Sequence, residues 1–218
     1  MTHSAIPPCS GIILAGGLSS RFGGRNKALI EWKGRPLLAH IRQAFGDLFQ
    51  EIILVTNAPG AFAAWDMTLV TDLFAERSSL TGIHAELFYA NHPLAFVTAC
   101  DTPLLQPALI RMLLDAARDD IDVVIPKTEK GLEPLCAVYS QRCLEPITHR
   151  LRQGDYRIRS CFRKARVRHV PEPQLRRCDP DLRSFYNINT SEDLAHVRQQ
   201  FQIAKDREDP HTNGGVPS

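Results

Sequence analysis

Short apolar runs alternating with segments of helical period constrain this chain more than any other feature. Residues 12–14, 51–56, 68–71, 93–100 and 122–126 are largely apolar, the pattern of strands covered on both faces. Between them, Leu37, Leu38, Ile41, Ala44, Phe45 and Leu48 recur every three or four residues across 36–49. Leu109, Met112, Leu113 and Ala116 do the same across 107–117, and 80–89 reads as a further helix. Strands separated by helices predict βαβ units, hence a single-domain, Rossmann-like, three-layer α/β fold with a mainly parallel sheet.

The second half is less regular. Residues 135–139 read as a strand antiparallel to the others, 141–151 as a helix and 167–170 as a short strand. Thr190 with Asp193 three positions on forms a capping signature for a last helix reaching about residue 201. The expected organisation is an N-terminal extension over 1–10, one domain over 11–203, and a polar tail over 204–218. A chain of 218 residues suits that plan and can bury a substantial core.

Formal charge is only +2, with both signs interspersed, which argues against a nucleic-acid surface. The densest basic run, Arg157 to Arg168, reads as a solvated face that an anionic phosphate could also use. No apolar stretch has the length of a membrane helix, and the first residues lack a basic start and an apolar core. The six cysteines form no C-x-x-C pair and the histidines no ligand spacing. Free thiols of a reducing cytoplasm are the expectation.

The chemistry starts where the first strand ends. Leu14 and Ala15 lead into the glycine pair Gly16-Gly17, then Ser19, Ser20, Arg21, Arg25 and Lys27. Gly16 and Gly17 let the backbone approach a ligand closely. Successive N–H groups with nearby cations suit phosphate oxygens. Neither common phosphate fingerprint fits: there is no G-x-G-x-x-G directly after the strand, and Lys27 is followed by Ala28 rather than Ser or Thr. Three further strands end on polar residues: Asn57, Asp72, and Asp101 before Thr102-Pro103. In an open parallel sheet these ends share one edge, where ligands bind. Asp101 can hold Mg²⁺ through a carboxylate oxygen while the metal bridges phosphates; a turn or cap aspartate is the alternative. Asp72 can form a turn or accept hydrogen bonds from a base or ribose.

These motifs resemble the molybdenum cofactor guanylyltransferases, members of the nucleotidyltransferase group that includes sugar-nucleotide pyrophosphorylases and cytidylyltransferases. The resemblance rests on Leu14-Ala15-Gly16-Gly17, Ser19, Arg21-Phe22-Gly23, Lys27 and Gly34-Arg35-Pro36-Leu37-Leu38. It continues through Asn57, Asp72, Cys100-Asp101-Thr102-Pro103, and Asn187-Ile188-Asn189-Thr190 with Asp193-Leu194. The chain departs from the family pattern at Asn26, where an aspartate is common, and at Ser79, where a proline is.

The resemblance implies a nucleotidyltransferase fold and Mg²⁺-dependent transfer of GMP from GTP to molybdenum-molybdopterin, with pyrophosphate released. By it, Leu14, Ala15, Gly16, Gly17, Asn57 and Asp72 would line the nucleotide, and Arg21 and Lys27 would hold its phosphates. Asp101 would bind Mg²⁺, and Asn187 and Asn189 would face the acceptor or help position the metal. Cofactor-insertion and molybdoenzyme-maturation proteins are the implied partners, with no role for nucleic acid or membrane. Cytidylyl transfer to the same acceptor, nucleotidyl transfer to a sugar phosphate and a non-catalytic nucleotide-binding module are the alternative readings.

Overall fold

The computed structural model describes residues 8–15, 26–76, 78–163 and 165–208. Its strands are β1 (Cys9–Leu14), β2 (Glu31–Trp32), β3 (Arg35–Pro36), β4 (Ile52–Val55), β5 (Thr68–Val70), β6 (Leu94–Ala99), β7 (Val123–Thr128), β8 (Gly131–Leu132), β9 (Cys136–Ser140) and β10 (Val167–Pro171). Its helices are α1 (Leu37–Phe45), α2 (Ser79–Tyr89), α3 (Pro107–Ala116), α4 (Leu144–Arg152), α5 (Ile158–Cys161), α6 (Glu172–Leu175) and α7 (Ser191–Glu208). The α7 backbone thus runs beyond the expected residue 201.

The main sheet is ordered β10-β7-β9-β6-β1-β4-β5, with β8 attached to β7. Pairing is parallel from β5 through β4 and β1 to β6. β9 then inserts antiparallel between β6 and β7, and β10 pairs parallel with β7 at the edge. The antiparallel strand and the mainly parallel sheet match the sequence expectation.

Side-chain alternation along the strands divides the core in two. Ile13, Leu54, Phe96, Val124 and Val138 face one cluster with Leu38, Ile41 and Phe45 of α1 and Leu109 and Leu113 of α3. Ile12, Ile53, Val97, Ile125 and Tyr139 face the other with Ile83 and Leu87 of α2 and Ile147 and Leu151 of α4. Burial on both faces explains why the strands read as continuous apolar runs. A third, smaller cluster joins Trp32, Leu37, Leu104, Ile188, Leu194 and Val197. It braces α7 against the β2–β3 hairpin, where Arg198 also donates to the Glu31 carbonyl at 3.2 Å. That hairpin turns at Lys33 and Gly34, both with positive φ (50° and 72°), as a two-residue primed turn requires.

Gly11 lies in β1 against an aromatic group made by Phe45, Phe49 and Phe96. A Cβ there would sit 2.6 Å from a Phe49 ring atom and 2.8 Å from a Phe45 ring atom. Gly11→Ala is expected to cost about 1–3 kcal/mol by overpacking, which lowers Tm by several degrees. Gly60, where an added methyl would meet no atom within 4 Å, supplies the control: Gly60→Ala should melt close to the parent. Equal melting of all three proteins would reject the overpacking account.

Candidate functional site

The ends of β1, β4 and β6 are stitched together at one edge of the sheet. Ala15 N–H donates to the Val55 carbonyl at 2.8 Å, and Cys100 N–H donates to the Leu14 carbonyl at 2.9 Å. From β1 the chain crosses through α1 to β4 on one side, whereas β6 lies on the other. The crevice outside a pair of strands where the order reverses in this way is where open α/β sheets bind ligands.

Lys27 reaches this crevice from a 3-10 turn, Lys27–Leu29, capped by Asn26. Asn26 accepts from Ala28 N–H at 3.1 Å through its side-chain oxygen. Asparagine therefore keeps at this position the acceptor role that an aspartate would have. Lys27 Nζ donates to Asp101 Oδ2 at 2.7 Å and to Asn189 Oδ1 at 2.8 Å. Residues 74 and 162 positions away in sequence thus meet at one ammonium.

Each acceptor is itself held. Asp101 follows β6 in a tight turn that Thr102 secures by donating its hydroxyl to the Ala99 carbonyl at 2.9 Å. The Asp101 carbonyl accepts from Ile188 N–H at 2.8 Å, which ties the segment before α7 to the end of β6. Asp193 Oδ2 accepts from the N–H groups of Asn189 and Thr190 at 2.8 and 2.9 Å, and Thr190 Oγ1 accepts from Asp193 N–H at 3.1 Å. The capping signature read from the sequence is present, and it also fixes the backbone of Asn189. The Asn189 N–H is the foremost cause holding the Asp193 carboxyl below its usual range.

The neighbouring Cys100 is buried, and burial, then the Asp101 carboxylate, push its thiol up to about 12. A thiol held that high is a poor nucleophile at neutral pH. Cys9, Cys136, Cys143 and Cys178 are free as well.

Asn57 and Asp72, at the ends of adjacent β4 and β5, form a second, more exposed pair with Nδ2 to Oδ2 at 3.5 Å. The helix beyond them starts at Ser78, whose side chain caps Thr81 N–H at 3.1 Å while Thr81 Oγ1 accepts from Ser78 N–H at 3.0 Å. This capping box sets the entry into α2 where Ser79 stands in place of proline. A methyl on Gly82 would fall 2.5 Å from Leu14 Cδ2, so glycine is what lets α2 close on the end of β1. Asn187 is exposed, and among the described residues its side chain makes no hydrogen bond to the Lys27 group. Gly16, Gly17, Ser19, Ser20, Arg21 and Arg25 lie outside the described residues. An open groove of ≈ 940 Å³ between α2 and α4 begins at Leu73 and Phe74, just past Asp72, and is lined by none of Lys27, Asp101 or Asn189.

Glu86 of α2 carries no signal in the sequence that sets it apart. It is fully buried, and neither carboxyl oxygen has a hydrogen-bond partner among the described residues. Burial, then the nearby Asp72 carboxylate, push its pKa well above the usual range.

The sequence matches the MobA-like NTP transferase domain over residues 11–170. The chain belongs to this family. It is 48% identical over 196 residues to the molybdenum cofactor guanylyltransferase of Desulfosudis oleivorans, covering 90% of this chain and 97% of that one. It is 37% identical over 202 residues to the Pseudomonas aeruginosa enzyme of the same description, covering 91% and 99%. Among solved structures, molybdopterin-guanine dinucleotide biosynthesis protein A of Archaeoglobus fulgidus superposes with a TM-score of 0.78 at 26% identity, covering 89% of this chain and 99% of that one.

Membership in this family goes with nucleotide chemistry assisted by a metal. Among the described residues no group of three or more His, Cys, Asp or Glu is placed to hold a metal ion. A closed, all-protein cage is therefore not what these residues build. Asp101 does fit a hard cation that takes one carboxylate and completes its shell with phosphate oxygens and water. Its Oδ1 is buried and has no hydrogen-bond partner among the described residues.

Proposed function

We propose that this chain transfers GMP from GTP to the terminal phosphate of molybdenum-molybdopterin, forming the guanine dinucleotide cofactor and releasing pyrophosphate. The observation that carries the reading is the meeting of Lys27, Asp101 and Asn189 at the crevice between β1 and β6. The activity named for its relatives in Desulfosudis oleivorans and Pseudomonas aeruginosa supports it. An acceptor phosphate oxygen attacks the α-phosphorus of GTP, forming one P–O bond as the bond to the β-phosphate bridge breaks. The acceptor arrives as a phosphate anion, so no strong protein base is required, and positioning with charge neutralisation supplies most of the rate.

In this reading Leu14, Ala15, Gly16 and Gly17 line the nucleotide, and Arg21 and Lys27 hold its phosphates. Asn57 and Asp72 meet the base or ribose, and Asn187 and Asn189 face the acceptor. Asp101 is the carboxylate for Mg²⁺, which when bound neutralises phosphate charge and stabilises the leaving pyrophosphate. Cofactor-insertion and molybdoenzyme-maturation proteins are the proposed partners, and the cytoplasm the proposed location. No helix among the described residues is long and apolar enough to cross a membrane.

Pyrophosphate release measured with GTP, CTP and ATP on the same molybdenum-molybdopterin acceptor tests the base assignment. Guanine presents N1–H and N2–H₂ donors, and a base lacking them cannot satisfy a pocket built to accept from them. GTP is expected to exceed CTP and ATP in kcat/KM by roughly 10²-fold or more. A CTP preference keeps the transferase chemistry and overturns the guanylyl assignment. Absence of turnover with every pair would favour a binding module.

A further inference from the structure

Lys27 has one ammonium and two anionic claims on it. The proposed reaction needs it at the triphosphate, yet its Nζ lies on Asp101 Oδ2 at 2.7 Å and Asn189 Oδ1 at 2.8 Å. Both members of the ion pair are largely shielded, with side chains 18% and 19% exposed, so water and salt weaken it less than a surface pair. The resting place is defined on both sides. Asn26 fixes the start of the lysine's turn and Ala28 is fully buried beneath it, while Asp193 and the Ile188–Asp101 backbone bond fix Asn189. The flexible four-carbon stem of Lys27 lets the ammonium change partner.

The charge balance has a consequence for the metal. The Lys27 ammonium lies directly on the Asp101 carboxylate and offsets its charge, while Asp193, which its field also reaches, is engaged by the N–H groups of Asn189 and Thr190. A free dication therefore meets a carboxylate that is already neutralised.

We propose that Lys27 gates the divalent cation: in the nucleotide-free chain it serves as the counter-ion of Asp101 and weakens binding of a free metal ion, and an arriving triphosphate draws the ammonium away and opens Asp101 to the ion that accompanies it. Metal and nucleotide then bind with positive coupling, and the coupling is reciprocal. The gate rests on Asp101 being the metal carboxylate and is independent of which base or acceptor the enzyme uses.

Mn²⁺ alone is the probe, its free concentration followed by electron paramagnetic resonance with folding checked by circular dichroism. The parent should bind Mn²⁺ alone weakly. Lys27→Met and Lys27→Gln, which remove the charge in two ways, should each bind it about tenfold or more tightly than the parent. Lys27→Arg, which keeps the charge, should stay as weak as the parent. With a non-hydrolysable GTP analogue present, and its own chelation subtracted, the parent's Mn²⁺ affinity should rise by about tenfold or more, and the Lys27→Met gain should shrink. Equal Mn²⁺ affinity in the parent and both neutral variants overturns the gate. Tight Mn²⁺ binding that survives Asp101→Asn in the Lys27→Met background instead overturns the metal assignment on which the gate rests.

Discussion

Asp101→Asn is expected to lower nucleotidyl transfer by about 10²–10³-fold or more, the scale of losing one preorganised charge at a reacting phosphate. The substitution keeps the size and shape of the side chain. It also keeps the backbone carbonyl that accepts from Ile188 N–H, so Tm should stay within a few degrees of the parent. What changes is the charge. Asp101 Oδ1, buried and without a hydrogen-bond partner among the described residues, is the atom available to a hard cation, and a neutral amide is a poorer ligand for Mg²⁺. Initial rates of pyrophosphate release across a Mg²⁺ titration decide the matter. A variant within a few-fold of the parent at every Mg²⁺ concentration would remove Asp101 from the metal role, leaving its bond to Lys27 as a structural contact only.

The strand ends were legible in the sequence because each apolar run stops at a residue with an evident task. Leu14 before the glycine pair, Asn57, Asp72 and Asp101 were expected at one edge. The register places Leu14 opposite both Val55 and Ala99, and brings Asn57 to Asp72. The order of the strands was not legible. Nothing in residues 135–139 announces that β9 pairs with β6 on one side and β7 on the other, because apolar alternation fixes which face a residue takes and not which neighbour it meets.

The candidate site divides in the same way. Lys27 and Asp101 were visible as chemistry-bearing types, but their bond links residues 74 positions apart, and no local pattern reports such a contact. Asp193 was readable as a cap from its spacing to Thr190. That its carboxylate also holds Asn189, and through it one partner of Lys27, follows only from the approach of α7 to the end of β6. The basic run from Arg157 to Arg168 reads in the sequence as a solvated face that an anionic phosphate could also use. Several of its members are committed to structure: Arg157 to Asp155, Arg166 to Asp122, which Arg142 also holds, and Arg168 to the Ala116 carbonyl.

Glu86→Leu is expected to stabilise the protein at pH 8 by about 2 kcal/mol, since an apolar side chain of similar size replaces a buried, unpartnered polar group. For a chain of this length that raises Tm by about 4–8 °C. The pH dependence carries the stronger test. Burial, then the Asp72 carboxylate, raise the folded-state pKa of Glu86 well above the ordinary value of 4.5. A carboxyl with a raised folded pKa contributes its full stability below the unfolded pKa and loses it as pH rises through the folded one. The parent should therefore lose stability relative to Glu86→Leu as pH climbs from about 4.5 toward 8, and the difference between the two proteins should be smallest at the acid end. His84, two residues earlier on α2, slopes the other way: burial, then the charge of Arg152, lower its pKa, so it costs stability as pH falls. Both proteins retain His84, so its slope largely cancels in the difference between their Tm values, which reads Glu86 together with its coupling to Asp72. Melting curves at half-unit steps from pH 5 to pH 8 supply the measurement. A Tm difference that stays flat across that range, or a variant that melts below the parent at pH 8, would mean that Glu86 is not held as an uncharged acid against α2's side of the sheet.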